Sequence, residues 1–352
     1  MTTVRVTASG CYDVKIGAGL LAQLGEEVRA LTKSTSVLLV SDDTVNALYG
    51  DRAEQALQAD GFAVRRFVFP HGENAKNGEM YLKLVQFAAE QRLTRADTIV
   101  ALGGGVVGDL AGFAAATYLR GVRLVQVPTT LLAAVDSSVG GKTAIDLPAG
   151  KNLVGAFYQP SLVLCDYELL RTLPTDIYAD GCAEVIKYSI LGSPTLYEHL
   201  LTHGPAFDTE RVIAECVAMK RDVVCGDEFD TGNRQLLNLG HTVAHGIEAC
   251  SGYEIPHGRA VAAGMAIIAR AAAEKGLCDA ACAQAIEAVL QKFALPLDTD
   301  FSLEALTDRA LSDKKRAGGT ITLIVPRAVG VCELMPIPVT ELGGWIAAGL
   351  RK

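Results

Sequence analysis

No run in this chain is long and apolar enough to span a bilayer. The longest candidate, AVAAGMAIIARAAA from Ala260, falls short of the roughly 20 residues a spanning helix needs and carries Arg270. The first residues, MTTVRVTASG, lack the apolar centre of a signal peptide, so the expected location is cytoplasmic with no membrane partner. Positive charge is not in excess: the net charge of -8 argues against nucleic acid or an anionic membrane as a general partner. The nine cysteines contain no C-x-x-C pair, which excludes a thiolate metal cage of that kind and points to reduced thiols in a reducing compartment. Internal repeats, low-complexity tracts and obvious flexible linkers are also missing.

What is present is a well-packed composition, 50% apolar and 20% charged, in a chain of 352 residues. That length favours two domains over one core. In the first, residues 1–160, TTVRVTA and YDVKI suggest a hairpin, and SVLLVSDD, AVRRFVFP, DTIVALGGG and RLVQVPTT are apolar runs closed by turn residues, with helical stretches between them. This alternation predicts an α/β nucleotide-binding domain with a mostly parallel sheet. In the second, residues 161–352, apolar residues recur at helical spacing over Thr209 to Val224, Leu237 to Ala249 and His257 to Lys275. A mainly α-helical domain follows, with a two-stranded element near TITLIVPRAVG and a closing helix near Glu341 to Leu350.

Gly103, Gly105 and Gly108 match G-x-G-x-x-G between a strand and a helix, the arrangement that lets backbone N–H groups approach a pyrophosphate. The usual acid about twenty residues on is missing, because the next strand ends in VPTT; Asp42, in SDD, is the alternative partner for a ribose. Lysines and polar groups then accumulate: Asp136, Lys142, Lys151 and Asn152 among glycines, followed by Arg120, Lys187, Lys220, Arg234, Asn238, Lys314 and Lys315 from other segments. In an acidic chain, such a cationic set predicts a small, highly anionic substrate. Glu184, a histidine of GHTVAH and His257 form a candidate three-ligand set for a catalytic metal with an open position. His241 and His245 lie four apart, and spacing alone leaves open whether both ligate one metal or only one does, with the role of His245 undecided.

GGGVVGDLAGFAAATYLRG, QVPTTLLAAVDSSVGGKTAIDLPAGKNLVGAF, GCAEVIKYSIL, NLGHTVAHGIE and IPHGRAVAAGM together resemble the 3-dehydroquinate synthase family, in order and over nearly the whole chain. The resemblance implies a lyase that converts 3-deoxy-D-arabino-heptulosonate 7-phosphate into 3-dehydroquinate and phosphate. The route is transient oxidation by NAD+, phosphate elimination, reduction and intramolecular aldol closure, with Zn2+ or Co2+ as the divalent metal. It assigns the metal to Glu184, His241 and His257, and places His245 with the substrate residues Lys142, Asn152, Lys187, Lys220, Arg234, Asn238 and Lys314. It puts NAD+ against Asp42, the turn His71, Gly72, Glu73, Asn74, Ala75 and Lys76, and the loop Gly104, Gly105, Val106, Val107, Gly108 and Asp109. Further cofactor positions are Thr129, Thr130, Asp136, Ser137, Lys142, Lys151, Leu169, Leu170, Arg171 and Thr172. A homodimer is implied, with Arg120 at the neighbouring subunit's site. Arg259 stands where the family usually has glutamate, and Ala244 where glycine is common. Another sugar-phosphate cyclase would share metal, cofactor and elimination; a metal-dependent alcohol dehydrogenase would accumulate NADH and has no evident need for so many cations.

Overall fold

The computed structural model describes residues 1–312 and 319–351, so Lys314 and Lys315 lie outside the described residues. The chain divides into two compact units, Met1–Leu173 with Thr209–Phe229, and Pro174–Asp208 with Asp230–Lys352.

In the first unit the order is β1 (Thr2–Thr7), β2 (Cys11–Gly17), α1 (Leu24–Leu31), β3 (Ser36–Asp42), the short turn α2 (Asp43–Val45), α3 (Asp51–Ala59), β4 (Ala63–Phe69), α4 (Gly78–Glu90), β5 (Thr98–Gly103), α5 (Gly105–Thr117), β6 (Arg123–Pro128), β7 (Lys142–Leu147), β8 (Gly150–Phe157) and β9 (Leu162–Asp166). A seven-stranded sheet runs β1-β2-β9-β6-β5-β3-β4, parallel throughout except for the β1–β2 hairpin. Successive strand residues face opposite sides, so a strand buried on both needs a continuous apolar run. β3 and β5 show it: Leu38, Val40, Ile99 and Ala101 pack with α4 and α5 on one face, while Val37, Leu39, Val100 and Leu102 pack with α1 and α3 on the other. From β3 the chain steps outward to β4, then returns to β5 and proceeds to β6 on the opposite side. The reversal makes the β3/β5 junction the topological switch point, where such sheets bind ligands beyond the strands' carboxyl ends.

Two stretches differ from the sequence reading. Residues 142–157, which in the sequence stand out only as lysines and polar groups among glycines, form an antiparallel hairpin of β7 and β8. The division expected at 160/161 also differs from the observed one. β9 lies inside the first sheet, between β2 and β6, and α8 (Thr209–Gly226) belongs with the first unit, packed on β1 and β2.

The second unit holds α6 (Thr175–Gly192), α7 (Pro194–His203), α9 (His241–Cys250), α10 (His257–Glu274), α11 (Ala280–Lys292), α12 (Leu303–Ser312), the hairpin β10 (Thr320–Ala328) with β11 (Val331–Pro338), and α13 (Leu342–Gly349). α10 is central, buried on nearly every side against α6, α9, α11 and α13. Two glycines permit its closest approaches. A Cβ on Gly258 would lie 1.9 Å from the Asp180 carbonyl of α6, and one on Gly264 would lie 2.2 Å from the Gly240 carbonyl at the head of α9. Each contact sits beside a candidate metal ligand. No helix among the described residues is long and apolar enough to cross a membrane.

Candidate active site

Most of the expected cofactor segments follow the carboxyl ends of parallel strands in the first unit, while Lys142 and Lys151 lie on the antiparallel β7–β8 hairpin. Asp42 ends β3, residues 71–76 follow β4, Gly104 and Gly105 follow β5, Thr129 and Thr130 follow β6, and Leu169–Thr172 follow β9. Gly104 is the N-cap of α5, which has no side-chain cap and no acid in its first turn. Its leading N–H groups and the positive end of its dipole therefore suit an anion. The loop is closely packed: a Cβ on Gly104 would meet Thr130 Cγ2 at 2.9 Å, and one on Gly105 would meet Ser137 Oγ at 3.2 Å. Asp42 caps α2, accepting from the Val45 N–H at 2.8 Å, and burial raises its pKa despite that bond. Tyr49, at the start of the same region, donates to the Leu169 carbonyl at 3.0 Å and pairs with Thr172 Oγ1, which fixes the 169–172 segment.

Lys76 is 4% exposed and gathers carboxylates. Its ammonium lies 2.7 Å from Glu73, 3.2 Å from Asp109 and 3.8 Å from Asp146, and 2.9 Å from Asn152 Oδ1. Burial alone would lower its pKa, but the surrounding carboxylates outweigh this and raise it. Burial raises Asp109 to about 6, against the opposing pull of Lys76. Asp146 was not singled out in the sequence; a lone acid in a lysine-rich stretch gave no spacing to find it by. Lys220 reaches the Asp136 carboxylate and its carbonyl, the latter at 2.5 Å. Lys142 and Asn152 are exposed on the hairpin and Lys151 is half-buried. Arg120 is exposed just past the far end of α5. At 1.5 Å per residue that is about 20 Å from the glycine loop.

In the second unit the structure brings Glu184, His241 and His257 together, with one potential ligand atom from each within 4.8 Å of the others. Glu184 Oε1 is 3.4 Å from His257 Nε2 and 3.7 Å from His241 Nε2. These separations fit a tetrahedral edge, roughly 3.4 Å for bonds of about 2.1 Å, so the donor set suits zinc or a similar ion. The ring orientations agree: His241 Nδ1 donates to the Leu239 carbonyl at 3.1 Å, leaving Nε2 as the lone-pair donor. Burial lowers the His241 pKa to about 3, which keeps the ring neutral and able to ligate. Burial works the same way on His257, but Glu184 and Glu248 outweigh it and raise the pKa to about 10 in the metal-free protein.

Glu248, beside this cluster, is a further residue that the sequence reading did not single out. It is 2% exposed, and its Oε2 lies 3.5 Å from His257 Nδ1. Its seven-residue spacing from His241 places it two helical turns on, along the same face of α9. Lys187 is 2% exposed and pairs with the Glu184 carboxylate one turn away. His245 is exposed on α9, its ring 5.8 Å from that of His241, and it is outside the ligand cluster. Arg234 is buried and Asn238 half-buried on the 3-10 turn Asn233–Asn238 that leads into α9. Arg259 donates its backbone N–H to Asp180 Oδ1 at 2.9 Å, so the departure from the family pattern leaves the adjoining ligand in place.

Comparison with known proteins gives a consistent relationship. Family models described as 3-dehydroquinate synthase N-terminal and C-terminal match residues 66–180 and 181–316. The 3-dehydroquinate synthase of Enterococcus faecalis (strain ATCC 700802 / V583) is 43% identical over 341 residues, covering 95% of each chain. A solved structure of 2-deoxy-scyllo-inosose synthase, complexed with carbaglucose-6-phosphate, NAD+ and Co2+, has a TM-score of 0.88 at 27% identity and covers 99% of this chain and 100% of that one. A 2-epi-5-epi-valiolone synthase from Streptomyces hygroscopicus subsp. jinggangensis 5008, with NAD+ and Zn2+ bound, has a TM-score of 0.87 at 26% identity over 98% of each chain. Both halves of the family pattern and the full-length relative agree: the chain belongs to the 3-dehydroquinate synthase family.

Proposed function

We propose that this chain converts 3-deoxy-D-arabino-heptulosonate 7-phosphate into 3-dehydroquinate and phosphate, as a phosphate-eliminating lyase of the shikimate pathway. The observation that carries the reading is the buried Glu184, His241 and His257 cluster, with a neutral His241 and two oriented rings. When bound, NAD+ supplies a hydride acceptor that is restored within each turnover, and a divalent metal, Zn2+ or Co2+, supplies Lewis acidity toward substrate hydroxyls.

The chain's own residues do the rest. The α5 N-terminus and the segments after β3, β4, β6 and β9 hold the dinucleotide, with Asp42 toward a ribose. Lys142, Asn152, Lys187, Lys220, Arg234, Asn238 and Lys314 bind and orient the substrate's carboxylate and phosphate. Lys187, already paired with Glu184, also places a positive charge beside that carboxylate. His245, exposed and outside the ligand cluster, exchanges a proton with a substrate hydroxyl. Glu248 holds His257 by its Nδ1 edge.

The family relationship also supports a homodimer in which Arg120 serves the neighbouring subunit. The exposure of Arg120 at the end of α5 away from the glycine loop supports that role. Mixing Arg120→Ala with His245→Ala protein tests it: subunit exchange that restores activity supports the dimer, and no recovery in an exchanging mixture refutes it.

The deciding experiment follows phosphate release from the heptulosonate ester with and without chelator. Release that chelator abolishes, with no net NADH, is the expected result. NADH accumulating with an alcohol would show a dehydrogenase, and release from a different ester alone would show another cyclase.

A further inference from the structure

The ammonium of Lys76 has three acceptors at hydrogen-bonding distance: Glu73 Oε1 at 2.7 Å, Asn152 Oδ1 at 2.9 Å and Asp109 Oδ2 at 3.2 Å. An ammonium has three protons and no lone pair, so these acceptors engage every donor it has. The consequence falls on Asn152. A carboxamide has one accepting and one donating end, and against a donor-only cation the oxygen must face inward and the NH2 outward.

The backbone fixes the same pose. Asn152 has a left-handed φ of 56°, a conformation asparagine tolerates better than most residues. Its N–H donates to Asp146 Oδ1 at 2.8 Å, and the Asp146 N–H donates to the Lys76 carbonyl at 2.7 Å. The β7–β8 turn is thus tied to the turn after β4 through Lys76 and Asp146 together.

We propose that Lys76 is a positioning residue that holds Asn152 with its N–H donors outward, so that the hairpin presents donors and no acceptor to an oxyanion of the substrate. The inference rests on Asn152 touching substrate, as in the function proposed above. The oxyanion is a phosphate or a carboxylate, two groups that one donor pair serves equally well.

A double-mutant cycle in the holoenzyme tests the coupling. Asn152→Gly removes the amide and keeps the left-handed backbone without strain; Lys76→Met removes the cation. Each single change is expected to lower kcat/KM by about tenfold or more, mainly through KM, as expected for a hydrogen bond to a charged group. The double variant should fall no further than the worse single one.

Asn152→Asp keeps the bond to Lys76 but turns an acceptor outward, so it should fold normally and raise KM by about tenfold or more. If inorganic phosphate also inhibits that variant more weakly, the bound oxyanion is the phosphate; unchanged inhibition assigns the carboxylate. Additive losses in the cycle overturn the coupling, and an unchanged KM in Lys76→Met overturns the positioning role, whether or not the NAD+ Kd weakens. Unchanged KM in both Asn152→Gly and Asn152→Asp removes Asn152 from the site and overturns the inference, while chelator-sensitive phosphate release by the unaltered enzyme would still support the proposed reaction. Should Lys76→Met fail to fold, Asn152→Asp decides alone: an unchanged KM overturns the proposal.

Discussion

Replacing Glu248 by alanine tests the metal site without touching a ligand. The carboxylate is 2% exposed and lies 3.5 Å from His257 Nδ1, on the edge of the ring away from the Glu184 contact. Losing it frees the ring to rotate and to place its proton on Nε2, the atom needed for coordination. Removing such an outer partner weakens metal binding by about 10–100-fold, or roughly 1.4–2.7 kcal/mol. Glu248→Gln keeps an acceptor for Nδ1–H and should lose less than about tenfold. The metal-free protein should melt below wild type, because the buried His257 ring loses one of the two carboxylates that hold its proton. The metal-induced stabilisation should shrink by about the same 1.4–2.7 kcal/mol at a fixed saturating zinc concentration. Competition against a chelating dye measures the affinity, and calorimetric melting at matched free zinc measures the stabilisation. A Glu248→Ala protein that folds normally and binds zinc with wild-type affinity refutes the assignment.

His245→Ala should retain a full complement of metal by elemental analysis and lose about 10²–10⁴-fold in kcat, the range of a lost general acid–base group. Loss of metal in that variant would return His245 to the ligand set. A pH effect is expected at Asp109, whose folded-state pKa is raised from 3.8 to about 6 by burial. The folded protein holds this proton more tightly, so the stabilisation is complete below pH 3.8 and disappears as pH rises through about 6. The loss is at most about 3 kcal/mol. Denaturant melts of wild type and Asp109→Asn should diverge across that window, and parallel curves would show that Asp109 carries no such shift.

Most of the first unit was legible because its central strands, β3, β5, β6 and β9, are buried on both faces. Such strands must be apolar runs, and the turn residues closing them are the segments proposed to hold the cofactor. The β7–β8 hairpin was not legible for the complementary reason. β8 is nowhere fully buried, so it has no apolar stripe to set a period of two, and its glycines and lysines resemble a loop. The helical character of α8 was equally clear, but its partner was not. Val212, Ile213, Cys216, Val217 and Val224 establish that one face is buried. An amphipathic pattern fixes which side of a helix is covered and leaves open what covers it. Assigning α8 by its place in the chain put it in the wrong unit; its packing on β1 and β2 is a long-range outcome.

The same limit operates on α9 at the scale of single residues. His241, His245 and Glu248 fall at spacings of four and three along one face, so helix geometry makes all three eligible for one site. What separates them comes from neighbours remote in sequence. Glu184 on α6 faces His241 Nε2, and the head of α10 brings His257 between Glu184 and Glu248. That placement depends on Gly258, where the Asp180 carbonyl leaves no room for a Cβ. His241 is therefore grouped with an acid more than fifty residues away in sequence, and Glu248 meets the cluster at the His257 ring. His245, lying between them along the helix but exposed, is left to face substrate in the proposed reaction. In that proposed reaction one face of one helix supplies a ligand, a proton-transfer group and a ligand's support, and packing against α6 and α10 divides these roles.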